Sequence, residues 1–260
     1  MNTYKCRLCD GSLTKKFKLT ILRKHNAEYY ECNNCGSLQT EPPHWLDEAY
    51  GNKYLANTDT GAAQRSMNNL AACFAISKLF KAKNAIDIGG GDGLLCRLLR
   101  DYDINCFVKD KYATPTYAQG FTEQNFSKPD LVIGFEVLEH FPTPKSDLEI
   151  LFKHNSNVLL LSTAIYTNEK SDWWYLAPGD GQHVFFYSKK ALELIAKKYK
   201  YTLIVSGGFI LFVRESSAFR MAVARILLNR IICRLIRALV ALLPARGVWK
   251  DHSLKIEKPI

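Results

Sequence analysis

Short apolar runs alternate with stretches of helical periodicity through most of the chain. Ala85–Ile88, Asn105–Val108, Pro129–Phe135 and Asn157–Leu161 are compact, nearly continuous apolar segments, and Tyr201–Val205 and Phe209–Val213 flank the pair Gly207-Gly208. Such runs suit strands buried on both faces. Gln64–Phe80, Leu94–Arg100, Lys145–His154 and Lys189–Lys200 instead repeat apolar residues at helical spacing, with Ser188 placed to cap the last of them. Tyr117–Thr122 is a weaker strand candidate. Strands alternating with helices predict an α/β fold built on a doubly wound sheet.

The pattern changes at both ends. Near the amino terminus, Phe17-Lys-Leu and Tyr29-Tyr30 are short strand candidates, and Pro42-Pro43 blocks a helix in the connector over 37–60. At the other end, Ala218–Leu243 contains neither proline nor glycine. As one helix it would be about 39 Å long at 1.5 Å per residue. Arg220, Arg230, Arg234 and Arg237 fall within an arc of about 100° at 100° per residue. Arg225 lies off that arc, and Ile226, Leu227, Ile231, Leu235, Leu239 and Leu242 fall largely away from it. These arginines interrupt the segment too often for a membrane span. Three uses follow: the apolar side packs on its own domain or a second subunit, the helix lies in the plane of an anionic membrane, or it grips nucleic acid.

Composition sharpens this division. The chain has 260 residues, 47% of them apolar, which suffices for one α/β domain with a full core and excludes wholesale disorder. The net charge of +10 is uneven: residues 1–36 hold seven Lys/Arg against three Asp/Glu, 37–213 eighteen against nineteen, and 214–260 ten against three. Basic ends around a neutral middle suggest an anionic partner or substrate at the ends. The expected organisation is a small amino-terminal module at 1–40, a main α/β domain at 41–215, and a basic amphipathic helix and tail at 216–260.

Candidate chemistry starts with cysteine. Cys6 and Cys9 form one C-x-x-C pair, Cys32 and Cys35 another. Thiolates are soft ligands, and two such turns can place four sulfurs tetrahedrally around zinc. Eight cysteines without an apolar signal segment over Met1–Asp10 point to a reducing, cytoplasmic setting. Cys73, Cys96, Cys106 and Cys233 read as small core residues.

The second candidate is Asp87-Ile-Gly89-Gly-Gly91-Asp-Gly93, between an apolar strand and a helix. A dinucleotide fingerprint needs glycine at the sixth place from Gly89, where Leu94 stands. The pattern D-x-G-x-G-x-G instead resembles motif I of class I S-adenosylmethionine (SAM)-dependent methyltransferases. Glu136-Val-Leu-Glu139-His140 resembles the segment after the fourth strand in the same family, and the cysteine module resembles that of zinc-bearing members, which include sugar C-methyltransferases. The resemblance covers roughly residues 4–213. It implies a Rossmann-like seven-stranded sheet with a terminal hairpin. It also implies SAM held by Asp87, Gly89, Gly91, Gly93, Asp110 and Glu136, with Tyr50, Tyr54 and Arg65 able to close over the cofactor.

Methyl transfer from a sulfonium needs an aligned acceptor and, for a hydroxyl or carbon acid, a base. His183, in an aromatic loop after Trp173-Trp174-Tyr175, and His140 are the candidates. A saccharide, glycolipid or other small-molecule acceptor is expected, with peripheral membrane contact through 218–243. An RNA methyltransferase using the zinc module and basic tail, or a non-catalytic SAM-fold binding protein, are the alternatives.

Overall fold

The computed structural model describes residues 4–51 and 60–256. In chain order, the first elements are strands β1 (Leu13–Ile21), β2 (His25–Cys32) and β3 (Leu38–Thr40), then helices α1 (Leu46–Gly51) and α2 (Ala62–Phe80). Next come β4 (Asn84–Ile88), α3 (Leu94–Asp101), β5 (Asn105–Lys109), β6 (Leu131–Phe135), α4 (Pro144–Asp147), α5 (Glu149–Phe152) and β7 (Val158–Ser162). The chain continues through β8 (Phe185–Phe186), α6 (Lys189–Tyr199), β9 (Thr202–Ser206), β10 (Phe209–Val213), α7 (Ala218–Leu227), α8 (Arg230–Ala241) and α9 (Arg246–Ile256). Ser188 caps α6 as expected, its hydroxyl accepting from the Ala191 N–H.

These elements fall into two compact units. The first comprises Met1–Thr60, Glu136–Phe152 and Ser162–Leu203; the second comprises Gly61–Phe135, Lys153–Leu161 and Ile204–Ile260. The first unit contains a four-stranded sheet in the order β1-β2-β3-β8, with the β1–β2, β2–β3 and β3–β8 pairs all antiparallel. Its core gathers Tyr29, Leu38, Trp45, Tyr175, Leu176, Val184 and Phe186. The two-residue strand β8 thus pairs with β3, which lies about 150 residues earlier in sequence.

The second unit is built on a six-stranded sheet, order β5-β4-β6-β7-β10-β9. Strand β4 runs parallel to both β5 and β6. This is the doubly wound arrangement the sequence predicts. Among the described residues, however, the sheet has six strands rather than seven, and Tyr117–Thr122 is not one of them. Val108 N–H does donate to the Phe121 carbonyl at 2.9 Å, but Gly120 at φ +79° turns the chain before a ladder can form. Strands β9 and β10 form the expected terminal hairpin around Gly207-Gly208, both at positive φ, as a two-residue turn requires. A side chain at Gly207 would also overlap the Leu228 carbonyl.

Two helical expectations change. Lys145–His154 is two single turns, α4 and α5, separated at Leu148. The tail is not one rod: α7 ends at Leu227, and Asn229 starts α8 by accepting the Ile231 N–H at 2.9 Å. An asparagine competes with the helix for backbone partners and is favoured at an N-cap, so it breaks a segment that lacks proline and glycine. Cys73, Cys96, Cys106 and Cys233 are buried in the core of the second unit, as small apolar residues.

Candidate functional site

The glycine turn of the second unit is built from the strand end outward. Strand β4 stops at Ile88, and Gly89, Gly91 and Gly93 then adopt φ of +69°, +57° and +83°. Side-chain-bearing residues rarely adopt this region, and here three glycines supply it within five residues. Gly93 precedes α3, whose first N–H, at Leu94, donates to Asp92 Oδ1 at 3.1 Å. A Cβ at Gly93 would lie 2.7 Å from the Ala118 Cβ, whereas one at Gly91 would find no atom within 4 Å. Gly93 is therefore glycine because the protein crowds it, and Gly91 faces open space.

Two carboxylates belong to this turn. Asp87 is buried within β4, and its Oδ2 has no hydrogen-bond partner. Burial, with the charge of Asp110 adding to it, pushes its carboxyl up to about 7. Asp110 lies just past β5. Its Oδ2 accepts the Gly91 N–H at 2.9 Å, and its Oδ1 accepts the N–H groups of Tyr112 and Ala113 at 2.7 and 2.8 Å. It thus ties the glycine turn to the β5 end and keeps acceptor capacity to spare. The open cradle at Gly91, the orphaned Asp87 oxygen and the poised carboxylate at Asp110 fit a methionine-bearing nucleoside such as SAM.

The predicted histidines come together in the first unit. Glu136 follows β6 at φ +52°, a strained setting for a residue with a side chain. Its carboxylate accepts from Ser162 Oγ at 2.6 Å and lies 2.9 Å from Tyr175 Oη. Tyr175 Oη is also 2.7 Å from Glu139 Oε1. One phenol proton cannot serve two carboxylates, so the trio needs a further proton. Burial, then the Glu139 charge, raises the Glu136 carboxyl above its ordinary value. Glu139 is fully buried, and its Oε2 has no partner.

His183 Nδ1 lies 2.7 Å from the Tyr175 carbonyl oxygen. A carbonyl only accepts, so Nδ1 carries the hydrogen and a neutral His183 presents Nε2 as its basic nitrogen. The His140 and His183 rings meet edge to face with centroids 4.9 Å apart, and Tyr50 Oη lies 3.3 Å from His140 Nδ1. One ligating atom from each of Glu139, His140 and His183 lies within 4.8 Å of the others, so the cluster can also hold a cation. Arg65 sits on α2, and Tyr54 lies outside the described residues.

The four cysteines of the two C-x-x-C pairs also converge. Cys6 and Cys35 Sγ are 3.7 Å apart, and Cys9 and Cys32 Sγ are 3.5 Å apart. A zinc ion with 2.3 Å bonds needs sulfurs about 3.8 Å apart, and a disulfide needs about 2 Å. The thiols divide: Cys6 is pushed up by its hydrogen bond with Cys35 and by burial, Cys32 is pushed up by burial, and Cys35 is lowered to about 5 by its hydrogen bond with Cys6. The donor set and spacing fit zinc.

Arg7, inside the first pair, ties this cluster to the histidines. Its guanidinium donates to the carbonyls of Pro142 at 2.8 Å and Val184 at 2.6 Å, two residues after His140 and one after His183. Burial lowers it to about 10. The sequence singled out neither Arg7 nor the hydroxyl of Tyr175. Arg7 lies between two cysteines, where only the fold shows its reach, and Tyr175 was one aromatic among three.

Two variants test these assignments. The purified chain is expected to carry one zinc, and Cys6→Ser to lose it while methyl-donor affinity stays near the parent's and turnover falls as the Arg7 anchor slackens. Metal analysis with calorimetry checks this, and no zinc in protein purified without chelator rules it out. Asp110→Ala is expected to weaken donor binding by about 1.5–3 kcal/mol, the scale of a charge-assisted hydrogen bond. Unchanged affinity in a calorimetric titration would remove Asp110 from the donor site.

A model of the family described as "Methyltransferase domain" matches residues 61–205. An O-methyltransferase family protein from Burkholderia thailandensis is 13% identical with a TM-score of 0.50, the match covering 66% of this chain and 63% of that one. The methyltransferase domain of a bacterial Hen1 protein is 18% identical, TM-score 0.43, with 58% and 98% covered. Magnesium protoporphyrin IX methyltransferase from Synechocystis PCC 6803 is 19% identical, TM-score 0.45, with 65% and 93% covered. Likenesses at these identities speak to fold alone. No curated protein matches the chain at a significant level.

Proposed function

Because the chain belongs to the methyltransferase-domain family and is a class I SAM-dependent methyltransferase, we propose that it methylates a saccharide or glycolipid acceptor, with a histidine of the Glu139–His140–His183 cluster as its base. The family match carries the reaction, and the histidine geometry carries the base. SAM supplies an electrophilic methyl on a positive sulfur. In this reading Gly89, Gly91 and Gly93 let the backbone approach the donor, Asp87 and Asp110 offer it acceptor oxygens, and Glu136 orients the cluster through Tyr175. Zinc on Cys6, Cys9, Cys32 and Cys35 is structural, holding the loop from which Arg7 reaches beside both histidines.

His183 is the stronger candidate base. Its Nδ1 hydrogen is fixed on the Tyr175 carbonyl, leaving Nε2 to take a proton from a hydroxyl or an acidic carbon. The cysteine module's resemblance to that of sugar C-methyltransferases supports a saccharide acceptor, and the basic tail supports a lipid-linked one met through peripheral membrane contact. Labelled-methyl transfer against separated RNA, lipid and nucleotide-sugar fractions tests this. Label in nucleotide sugar or glycolipid supports it, label in RNA alone replaces it with an RNA methyltransferase, and failure to bind SAM returns a non-catalytic binding protein.

The buried, unpartnered Oε2 of Glu139 favours a second reading of the same cluster. A divalent cation on Glu139, His140 and His183 would neutralise that carboxylate and acidify an acceptor hydroxyl directly. Activity removed by mild chelation and restored by manganese, with zinc still at one per chain, would support this reading; indifference to chelation would support the bare histidine.

A further inference from the structure

One face of the tail packs into the second unit, and another, richer in large aliphatic residues, does not. Ala224, Leu228, Cys233 and Val240 are buried in the core of the second unit, with Met221 and Ile236 packed against it. The larger aliphatic residues point away. On α8, Ile231, Leu235 and Leu239, with Leu242 at its end, are 57–81% exposed. At 100° per residue they occupy an arc of about 80°, and Arg234 and Arg230 flank it about 60° and 100° beyond one edge. On α7, exposed Phe219 and Ile226 lie about 20° apart, with Arg220 and Arg225 about 100° to either side. Helix α9 adds exposed Val248 and Trp249 beside Lys250.

Large aliphatic side chains in a continuous stripe are unusual on a soluble surface unless something covers them. Charge decides what. From residue 216 to 250 there are seven Lys/Arg and no Asp or Glu. Two copies pairing through this stripe would set arginines against arginines, with no carboxylate to relieve them. Anionic headgroups supply the opposite charge, and the acyl boundary accepts the leucines. An exposed tryptophan suits that boundary as well. Among the described residues no helix is long and apolar enough to cross a membrane.

We infer that α8 is a docking element for an anionic phospholipid surface, with Ile231, Leu235, Leu239 and Leu242 as its apolar contacts. The inference deepens the lipid-linked reading of the acceptor and rests on it for the reason a surface is needed. Its test does not read methylation. The full chain is mixed with vesicles of phosphatidylcholine alone and with phosphatidylserine added, then floated on a density gradient at low and high salt. We expect binding only with phosphatidylserine, weakened by about tenfold or more at high salt and by Leu235→Ser/Leu239→Ser, because both headgroup charge and apolar burial contribute. SAM affinity in the variant should match the parent's, which shows that it is folded. No flotation with phosphatidylserine at low salt overturns the inference, and so does a dimer, seen by light scattering, that the double variant dissolves. Flotation without methyl transfer to any fraction would retain the docking face and overturn the proposed activity instead.

Discussion

Gly91→Val is expected to lower SAM affinity by about a hundredfold or more, because the side chain would occupy space the donor needs and not space the protein fills. The backbone at Gly91 stands at φ +57°, and a Cβ there meets no protein atom within 4 Å. A valine pays for the left-handed conformation, roughly 1–2 kcal/mol, but collides with nothing in the fold. Its N–H can still reach Asp110 Oδ2, so the turn keeps its tie to the β5 end. Gly93→Val is the contrast: its side chain would press on Ala118 Cβ, 2.7 Å from the added carbon, and the fold itself should suffer. Calorimetric titration with SAM, alongside thermal melting, separates the two. Gly91→Val should lose binding with a small fall in melting temperature, and Gly93→Val should lose both. Affinity in Gly91→Val within about threefold of the parent, under 1 kcal/mol, would move the donor site away from this turn.

That turn was legible in the sequence because everything it needs is local. An apolar strand, three glycines at alternate positions and a following helix lie within about fifteen residues, and their periodicities differ. The thiolate cluster was legible for the same reason, since each C-x-x-C pair fixes its own geometry. The acid–histidine cluster was half legible. His140 and His183 could be named from residue type, but their meeting depends on β8 joining β3 and on the Val184 N–H donating to the Glu139 carbonyl. No local pattern announces that pairing. The tail shows a different limit. Its large aliphatic residues left three uses open, and the face packed into the core presents Ala224, Leu228, Cys233 and Val240. Small residues let a helix approach its neighbour closely, and a helix apolar on two sides does not reveal from hydropathy alone which side the protein uses.

His183→Ala is expected to lower turnover by about 10²–10⁴-fold while leaving SAM affinity near the parent's, the signature of a lost general base. The histidine is held ready by Nδ1 on the Tyr175 carbonyl, by the Tyr175 ring with its centroid 4.7 Å away, and by the His140 ring edge to face beside it. Removing the ring leaves the Glu136–Tyr175–Glu139 chain in place, because none of its hydrogen bonds uses His183 as a partner. The loss should therefore be chemical, and added imidazole should restore part of the rate by filling the space. His140→Ala is the comparison. Its Nδ1 faces the Tyr50 hydroxyl, which can donate or accept, so this contact does not choose a tautomer as the Tyr175 carbonyl does for His183. A smaller loss is expected there, arising from the altered setting of His183. A larger loss in His140→Ala, with imidazole rescue confined to it, would transfer the base to His140. If neither variant slows the reaction by about tenfold, neither histidine removes the acceptor's proton.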